Sequence, residues 1–498
     1  MPTDGSANAF AYALKSEVVG DALNVSYSLN VPAKSVNVNV KNAAGEVVAT
    51  VAGAVRKGAQ TATIDIANLA EGAYTWEVEV DDDNKPAIQE FTALSFYHPR
   101  GVDVDNNMES ENFGTLYITE GMDAGESSTP TDYYSYNNAG GYHVGLFMFT
   151  PDMKGIKNEK TGKYAFMGDL TYTYHSYAAD LARVRVAEDG RIFVTRCNKA
   201  GDYILYAPSQ ADLVKNDKWT SLLNGVSFNS STYEYSNVDG FVAAANVGLD
   251  VKGSGENLKM IALSANSTVF GANAIGSRVN EYALGNATVL PTPTSVTAMT
   301  DYTILPRCAN VDYDDRGGAW YCQYRATPSA ANPSLIYINE NGEQKLFEGV
   351  GGAARGGGGI RVSPDGKQIA IASTTSSFSL YDLTFNESGV PTLTEKISVR
   401  HGIGTNVNDI AWDLAGNLYI CGNSGEYLKG YAMPRAEAFT TKAASRYAFK
   451  VGSSAIENVD ADDNAPVEYY NMQGVKVDSP ENGVFIKKQG GKATKVVM

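Results

Sequence analysis

Tyrosine and histidine are the side chains in this 498-residue chain whose types and spacing suggest chemistry. Tyr133, Tyr134, Tyr136, Tyr142 and His143 crowd one stretch, and Tyr174, His175 and Tyr177 crowd a second, shortly before Arg183. Tyr233 and Tyr235 flank Glu234, and His401 follows Arg400. A tyrosine offers a flat apolar ring and a hydroxyl, which suits stacking on a sugar ring while bonding its hydroxyls. These twelve residues are therefore the candidate ligand contacts, and a glycan or other polar molecule is the expected ligand. Polysaccharide elimination is the alternative chemistry. It needs a base such as Tyr or His and a cation to neutralise a uronate carboxylate, and Tyr174, His175, His143, Arg183 and His401 could assemble that set. A glycoside hydrolase needs a carboxylate pair, and none stands out among 56 Asp and Glu. In a third reading, the tyrosines only pack long insertions of a protein-binding surface module. No Gly-x-Ser-x-Gly elbow is present. Catalytic residues are unassigned, and the enzyme question stays open.

The elements that must position these residues follow a recurring phrase: an apolar–x–apolar strand, a polar turn with Gly, then a second apolar strand. It reads Val184–Val194, Ile360–Ala370 and Ile410–Ile420, with looser copies from Val102, Leu249 and Val311. The last two intervals are each about 50 residues, and such a repeat is a supersecondary unit that cannot bury its apolar face alone. Four strands are predicted in the fifth unit: Ile360–Ser363, Gln368–Ser373, Phe378–Leu383 and Thr392–Val399. Four strands per unit with tight turns describe a propeller blade, so residues 97–452 read as a six-bladed β-propeller. Its outermost last strand is placed at Tyr447–Val451. The first-to-second strand turns, such as Glu188–Arg191, Ser363–Gly366 and Leu414–Asn417, are short and bland. The tyrosine loops, Arg355 with its glycines, and all four histidines (His98, His143, His175, His401) fall on the opposite face or its rim. Function concentrates on loops held by a rigid scaffold, so the ligand is expected there, in blades 1–3.

Both ends carry accessory modules. Residues 1–19 read as a small, polar, frayed start. Alternation in Leu23–Leu29, Val36–Val40, Thr61–Ile66 and Ala73–Val80, broken by turn signals, indicates a small β-sandwich over residues 8–96. Its Gly72-Ala73-Tyr74-Thr75-Trp76 stretch resembles the late strand of immunoglobulin-like modules of the flagellar-hook-capping type in bacterial surface proteins. After an acidic linker at 453–464, residues 465–498 hold Tyr470-Asn471-Met472-Gln473-Gly474, Gly483-Val484-Phe485-Ile486 and a Lys-rich last strand. This tail resembles the C-terminal sorting module of the type IX secretion route in Bacteroidota. The resemblance implies a secreted or cell-surface protein. The chain start has no basic and apolar leader, so it reads either as cytosolic or, given that tail, as a form with its signal trimmed.

Composition bounds the rest. The fold class is all-β. Hydrophobic content of 43% and charged content of 19% are globular values. A net charge of −16 excludes a nucleic-acid partner, which would need a basic face. No apolar run reaches 18 residues, so no transmembrane helix is expected. Four cysteines without ligand spacing give no zinc site. They read as buried thiols, with a Cys308–Cys322 pair as the alternative. Gly351–Gly359 lacks the Lys-Ser/Thr of a phosphate loop. Asp103-x-Asp105-x-Asn107 and Asp460-x-Asp462-x-Asn464 lack the Gly and Glu of a calcium loop, and Asp312, Asp314 and Asp315 read as turn residues. No cofactor or metal is expected, and a protein partner is kept as an alternative.

Overall fold

The computed structural model describes residues 7–82, 87–121, 134–138, 144–168, 181–196, 204–222, 228–229, 234–235, 248–264, 278–298, 308–323, 335–347, 350, 359–372, 377–400, 407–422, 427–435, 437–442, 448–451, 467–471, 475–477, 480, 483–489 and 492–497. They are almost wholly antiparallel β-structure. Two compact units are present: residues 1–67 with 75–448, and residues 68–74 with 449–498.

Six four-stranded sheets make up most of the first unit. Their first strands are Pro99–Val104, Val184–Val186, Leu249–Lys252, Cys308–Tyr313, Ile360–Val362 and Val407–Trp412. Each repeat start read from the sequence falls in one of these. Every first strand lies against the first strand of the next sheet, and Val407–Trp412 lies against Pro99–Val104. The flanking residues of the five triplets from Val184 onward fill cores shared by neighbouring sheets. Val184, Ile192 and Val194 pack with Leu146 and Phe166, while Phe193 and Ile204 pack with Leu249, Met260 and Tyr282. A period of two thus serves two partners: alternate residues of one strand face the sheet before and the sheet after.

The fifth sheet, Ile360–Val362, Gln368–Ala372, Ser377–Phe385 and Pro391–Arg400, matches the four predicted strands. The sixth departs from expectation. Its outer strand is Gln89–Ser95, paired with Tyr427–Ala432, rather than Tyr447–Val451. Phe439–Lys442 instead pairs with Glu77–Val80 in the N-terminal sandwich. An edge strand can be filled by any segment that brings free N–H and C=O groups, so the local pattern of 89–95 and 439–442 does not reveal which edge each one fills.

The sandwich sets Ala11–Val19, Ala22–Leu29 and Gly58–Asp65 against the sheet of Ser35–Lys41, Val47–Ala52, Gly72–Asp81 and Phe439–Lys442. Trp76 is buried and donates to Ser16 Oγ at 3.1 Å. The start, expected to be frayed, is instead packed into the fold over residues 7–11: Ala7, Asn8, Ala9, Phe10 and Ala11 are all buried. Asn8 Nδ2 donates to Ala415 O (3.0 Å), Gly416 O (3.1 Å) and Met433 O (3.0 Å), and Asn8 N donates to Asn417 Oδ1 at 2.7 Å. Phe10 packs edge-on against Phe113 and Phe439. This segment thereby ties the sandwich to turns of the first and sixth sheets.

In the second unit, Phe449–Val451 pairs with Gly72–Tyr74, and Tyr74 stacks on Phe449 at 5.6 Å. Val467–Tyr470, Lys476–Val477, Val484–Gln489 and Lys492–Val497 form a four-stranded sheet. No helix of the described residues is long and apolar enough to cross a membrane.

Candidate functional site

The middle residue of each apolar–x–apolar triplet points away from the inter-sheet cores. It is charged in five of the six triplets: Asp103, Arg185, Asp250, Asp312 and Arg361, with Ala411 in the sixth. These side chains, with Asp409 and Asn310, meet where the first strands converge. Arg185 donates to Asp409 Oδ2 at 2.8 Å and Oδ1 at 3.2 Å, and to Asn310 Oδ1 at 3.1 Å. Its Nε lies 3.3 Å from Asp250 Oδ1. Arg361 donates to Asp103 at 2.5 Å and Asp312 at 2.8 Å, with Asp250 at 3.5 Å.

Each aspartate also reaches across to the next sheet's backbone. Asp103 accepts from Val186 N (2.8 Å), Asp250 from Tyr313 N (2.7 Å), Asp312 from Val362 N (2.6 Å), and Asp409 from Val102 N (3.1 Å). The last of these joins the sixth sheet to the first. Where an arginine holds the middle position the link differs: Arg361 Nε donates to Ile410 O at 3.3 Å. Gly101 allows the close approach of the first and second sheets, since a Cβ there would sit 2.6 Å from Ala182 O and 2.8 Å from Val184 N.

Electrostatics separate these acids. Burial raises the Asp312 carboxyl to about 7, against the opposing pull of Arg361. Burial likewise raises Asp103, and raises Asp105 and Asp413 each to about 6. Asp409 is held below its usual value although burial opposes this, because Arg185 and then Arg183 stabilise its charge.

Above this network, at the turn end of the first strands, lies a cavity of about 720 Å³. Its floor includes Asp103, Asp250, Asp312 and Arg361, and its wall includes Tyr313 and Trp412. The turns Asp105–Glu109, Glu188–Asp189, Pro364 and Leu414 also line it, as do Lys252 and Asp315. Asp105 is held by Asn107 N (3.0 Å) and Ser110 Oγ (2.6 Å). Asn107 Nδ2 donates to Glu188 O at 2.6 Å, linking two of these turns. The turns that looked bland in sequence thus border the concave site. Asp312, read as a turn residue, is a buried strand residue.

Of the twelve candidate ligand residues, the side chains of Tyr134 and Arg183 are described. Tyr134, in the short helix Tyr134–Asn138, is half-buried against Phe96, Phe147 and Phe149 at 5.4–6.2 Å. That burial pushes its hydroxyl up to about 12. Arg183 is buried and donates to Arg100 O. Tyr235 belongs to the two-residue strand Glu234–Tyr235, and its side chain lies outside the described residues, as does that of Tyr136. Tyr133, Tyr142, His143, Tyr174, His175, Tyr177, Tyr233 and His401 lie outside them altogether. Cys322 and Cys421 are buried and not disulfide-bonded. The sequence reading missed the floor residues. The available signal was a charge at the same strand position in five of six repeats.

Residues 13–84 match the FlgD Ig-like domain. The N-terminal sandwich is therefore an immunoglobulin-like domain, completed here by Phe439–Lys442 from far along the chain. A solved protein of unknown function from Bacteroides thetaiotaomicron is similar at 12% identity and a TM-score of 0.37, covering 84% of this chain and 98% of that one. A chain of the mitotic checkpoint complex is similar at 10% identity and a TM-score of 0.36, covering 70% and 95%. Likenesses this distant carry no argument about function. No curated protein matches the chain.

Proposed function

We propose that the six sheets are the blades of a β-propeller, and that the chain is a secreted or cell-surface carbohydrate-binding protein using the cavity at the turn end of the propeller axis. The observation carrying this reading is the cavity itself. Its volume of about 720 Å³ lies within the range of small-ligand pockets. It combines Tyr313 and Trp412 in its wall with carboxylate and amide groups able to accept from sugar hydroxyls. Binding fits better than catalysis, because each floor aspartate is already committed to a backbone N–H and an arginine. A carboxylate so engaged has few lone pairs left to attack a substrate or take up its proton. Secretion is supported by the C-terminal tail's resemblance to a sorting module. The test is a panel of plant, mucin and microbial glycans, scored for both retention and product release. Retention that Asn107→Ala and Glu188→Gln weaken supports the reading. Product release, or retention unaffected by both variants, overturns it.

A further inference from the structure

Most strands at a sheet edge in this chain carry charge or are very short, which protects an open edge from pairing with another chain. Lys15 and Glu17 lie in Ala11–Val19, Lys345 in Gln344–Phe347, and Glu395 and Lys396 in Pro391–Arg400, while Thr220–Ser221 has two residues. Val47–Ala52 has neither protection. Among the described residues it pairs on one side only, with Ser35–Lys41. The run from Val47 to Val55 holds no charged residue and no proline, and Val47, Val48 and Val55 are exposed. An open, uncharged edge rich in β-branched side chains is a template for a further strand. Gly58–Asp65 is a second uncharged edge, but its exposed residues before Asp65 are the small or polar Ala59, Thr61 and Thr63, so a partner there would bury less apolar surface.

We infer that this edge pairs antiparallel with the same edge of a second copy of the chain, joining two immunoglobulin-like domains through one continuous sheet. The backbone sets the register. Gly53 N donates to Val36 O at 2.8 Å, and along an antiparallel strand inward and outward groups alternate. The N–H and C=O of Thr50 and Ala52 therefore face the open side. The extra residue at Val48 disturbs only the end of the strand, and Ala49–Ala52 keeps a regular register. A two-fold axis through Val51 places Thr50 of each copy opposite Ala52 of the other, so outward groups meet outward groups twice. The same axis brings Glu46 level with Arg56 at both ends of the interface, and both side chains are exposed. The strand is thus self-complementary in hydrogen bonding and in charge, as a closed two-fold contact requires. A net charge of −16 sets two copies against each other, and an uncharged strand with an acid at one end and a base at the other lets them meet with little local repulsion.

Sedimentation velocity of the full chain between about 1 and 200 µM tests this, since self-association follows concentration. The expected result is a monomer–dimer equilibrium with no larger species. Ala52→Pro deletes an outward N–H that Ser35–Lys41 does not use, and proline is tolerated on the open side of an edge strand. That variant should stay monomeric throughout, with the circular dichroism spectrum and urea midpoint of the wild type. Glu46→Arg should weaken the dimer severalfold and Glu46→Arg/Arg56→Glu should restore it, a comparison that stands even where Ala52→Pro disturbs folding. A wild-type chain that is monomeric at about 200 µM overturns the inference. So does a dimer that neither Ala52→Pro nor Glu46→Arg weakens, and a dimer that the charge swap fails to restore overturns the pairing about Val51. None of these outcomes bears on the carbohydrate reading, which concerns a different part of the molecule.

Discussion

Removing the Asp409 carboxylate should be among the most damaging single changes to this protein. Asp409 is fully buried. It accepts two bonds from Arg185, one from Asn310 Nδ2 at 2.7 Å and one from Val102 N at 3.1 Å. In Asp409→Ala the Arg185 guanidinium stays buried with Asp250 as its remaining carboxylate, at 3.3 Å. Breaking a buried ion pair from one side costs about 3–5 kcal/mol, because the surviving charge is left without compensation. Part of that cost should return in Arg185→Met/Asp409→Ala, where the second charge is gone as well. Urea unfolding followed by tryptophan fluorescence measures both variants. Trp320 and Trp412 report the sheets and Trp76 the immunoglobulin-like domain, so separate transitions would be visible. Lys367→Ala, at an exposed turn, is the control and should change stability by no more than about 0.5 kcal/mol. A loss below about 1 kcal/mol for Asp409→Ala would refute the argument that this network joins the sixth sheet to the first. So would a double variant at least as costly as the two single changes added together.

Stability should also follow pH in a set direction. Asp103, Asp105, Asp312 and Asp413 all have folded-state values raised by burial, so their contribution is fully present below the usual carboxylate range and is lost as pH rises toward about 7. Asp409, Asp152 and Asp189 are lowered, and their contribution is lost only in stronger acid. Urea midpoints should therefore peak near pH 5 and decline by pH 8, and a profile rising steadily to pH 8 contradicts this. Asn8→Ala removes three side-chain donations to the 415–433 region and should cost about 1–3 kcal/mol, while making the Ala7–Leu14 segment susceptible to limited proteolysis. Thr92→Pro and Ala93→Pro fall at adjacent positions of the strand that completes the sixth sheet, and the one whose N–H serves the ladder should cost about 3 kcal/mol or more. An unchanged melting temperature in both would mean that the strand is dispensable. Gly416 has φ +83°, and a Cβ there would approach Asn8 Nδ2 to 3.3 Å, so Gly416→Val should lower the melting temperature measurably through strain alone.

The strand–turn–strand phrase, the six first strands and the alternation of the immunoglobulin-like domain were all legible from residue order, because strand period and turn chemistry are local properties. Val184, Ile360 and Ile410 announce buried strands whatever they pack against. Three features were decided only by tertiary structure. Gln89–Ser95 fills the open edge of the sixth sheet and Phe439–Lys442 that of the N-terminal domain, because backbone hydrogen bonding is chemically alike at every edge. Ala7–Ala11 is buried because Asn8 finds the carbonyls of residues 415, 416 and 433 across the fold. The cavity floor joins Arg185 to Asp409 and Arg361 to Asp103. Nothing local says which of 56 acids will meet which of 40 bases. Their charge is written in the chain, but their pairing depends on first strands converging, and so does the cavity above them.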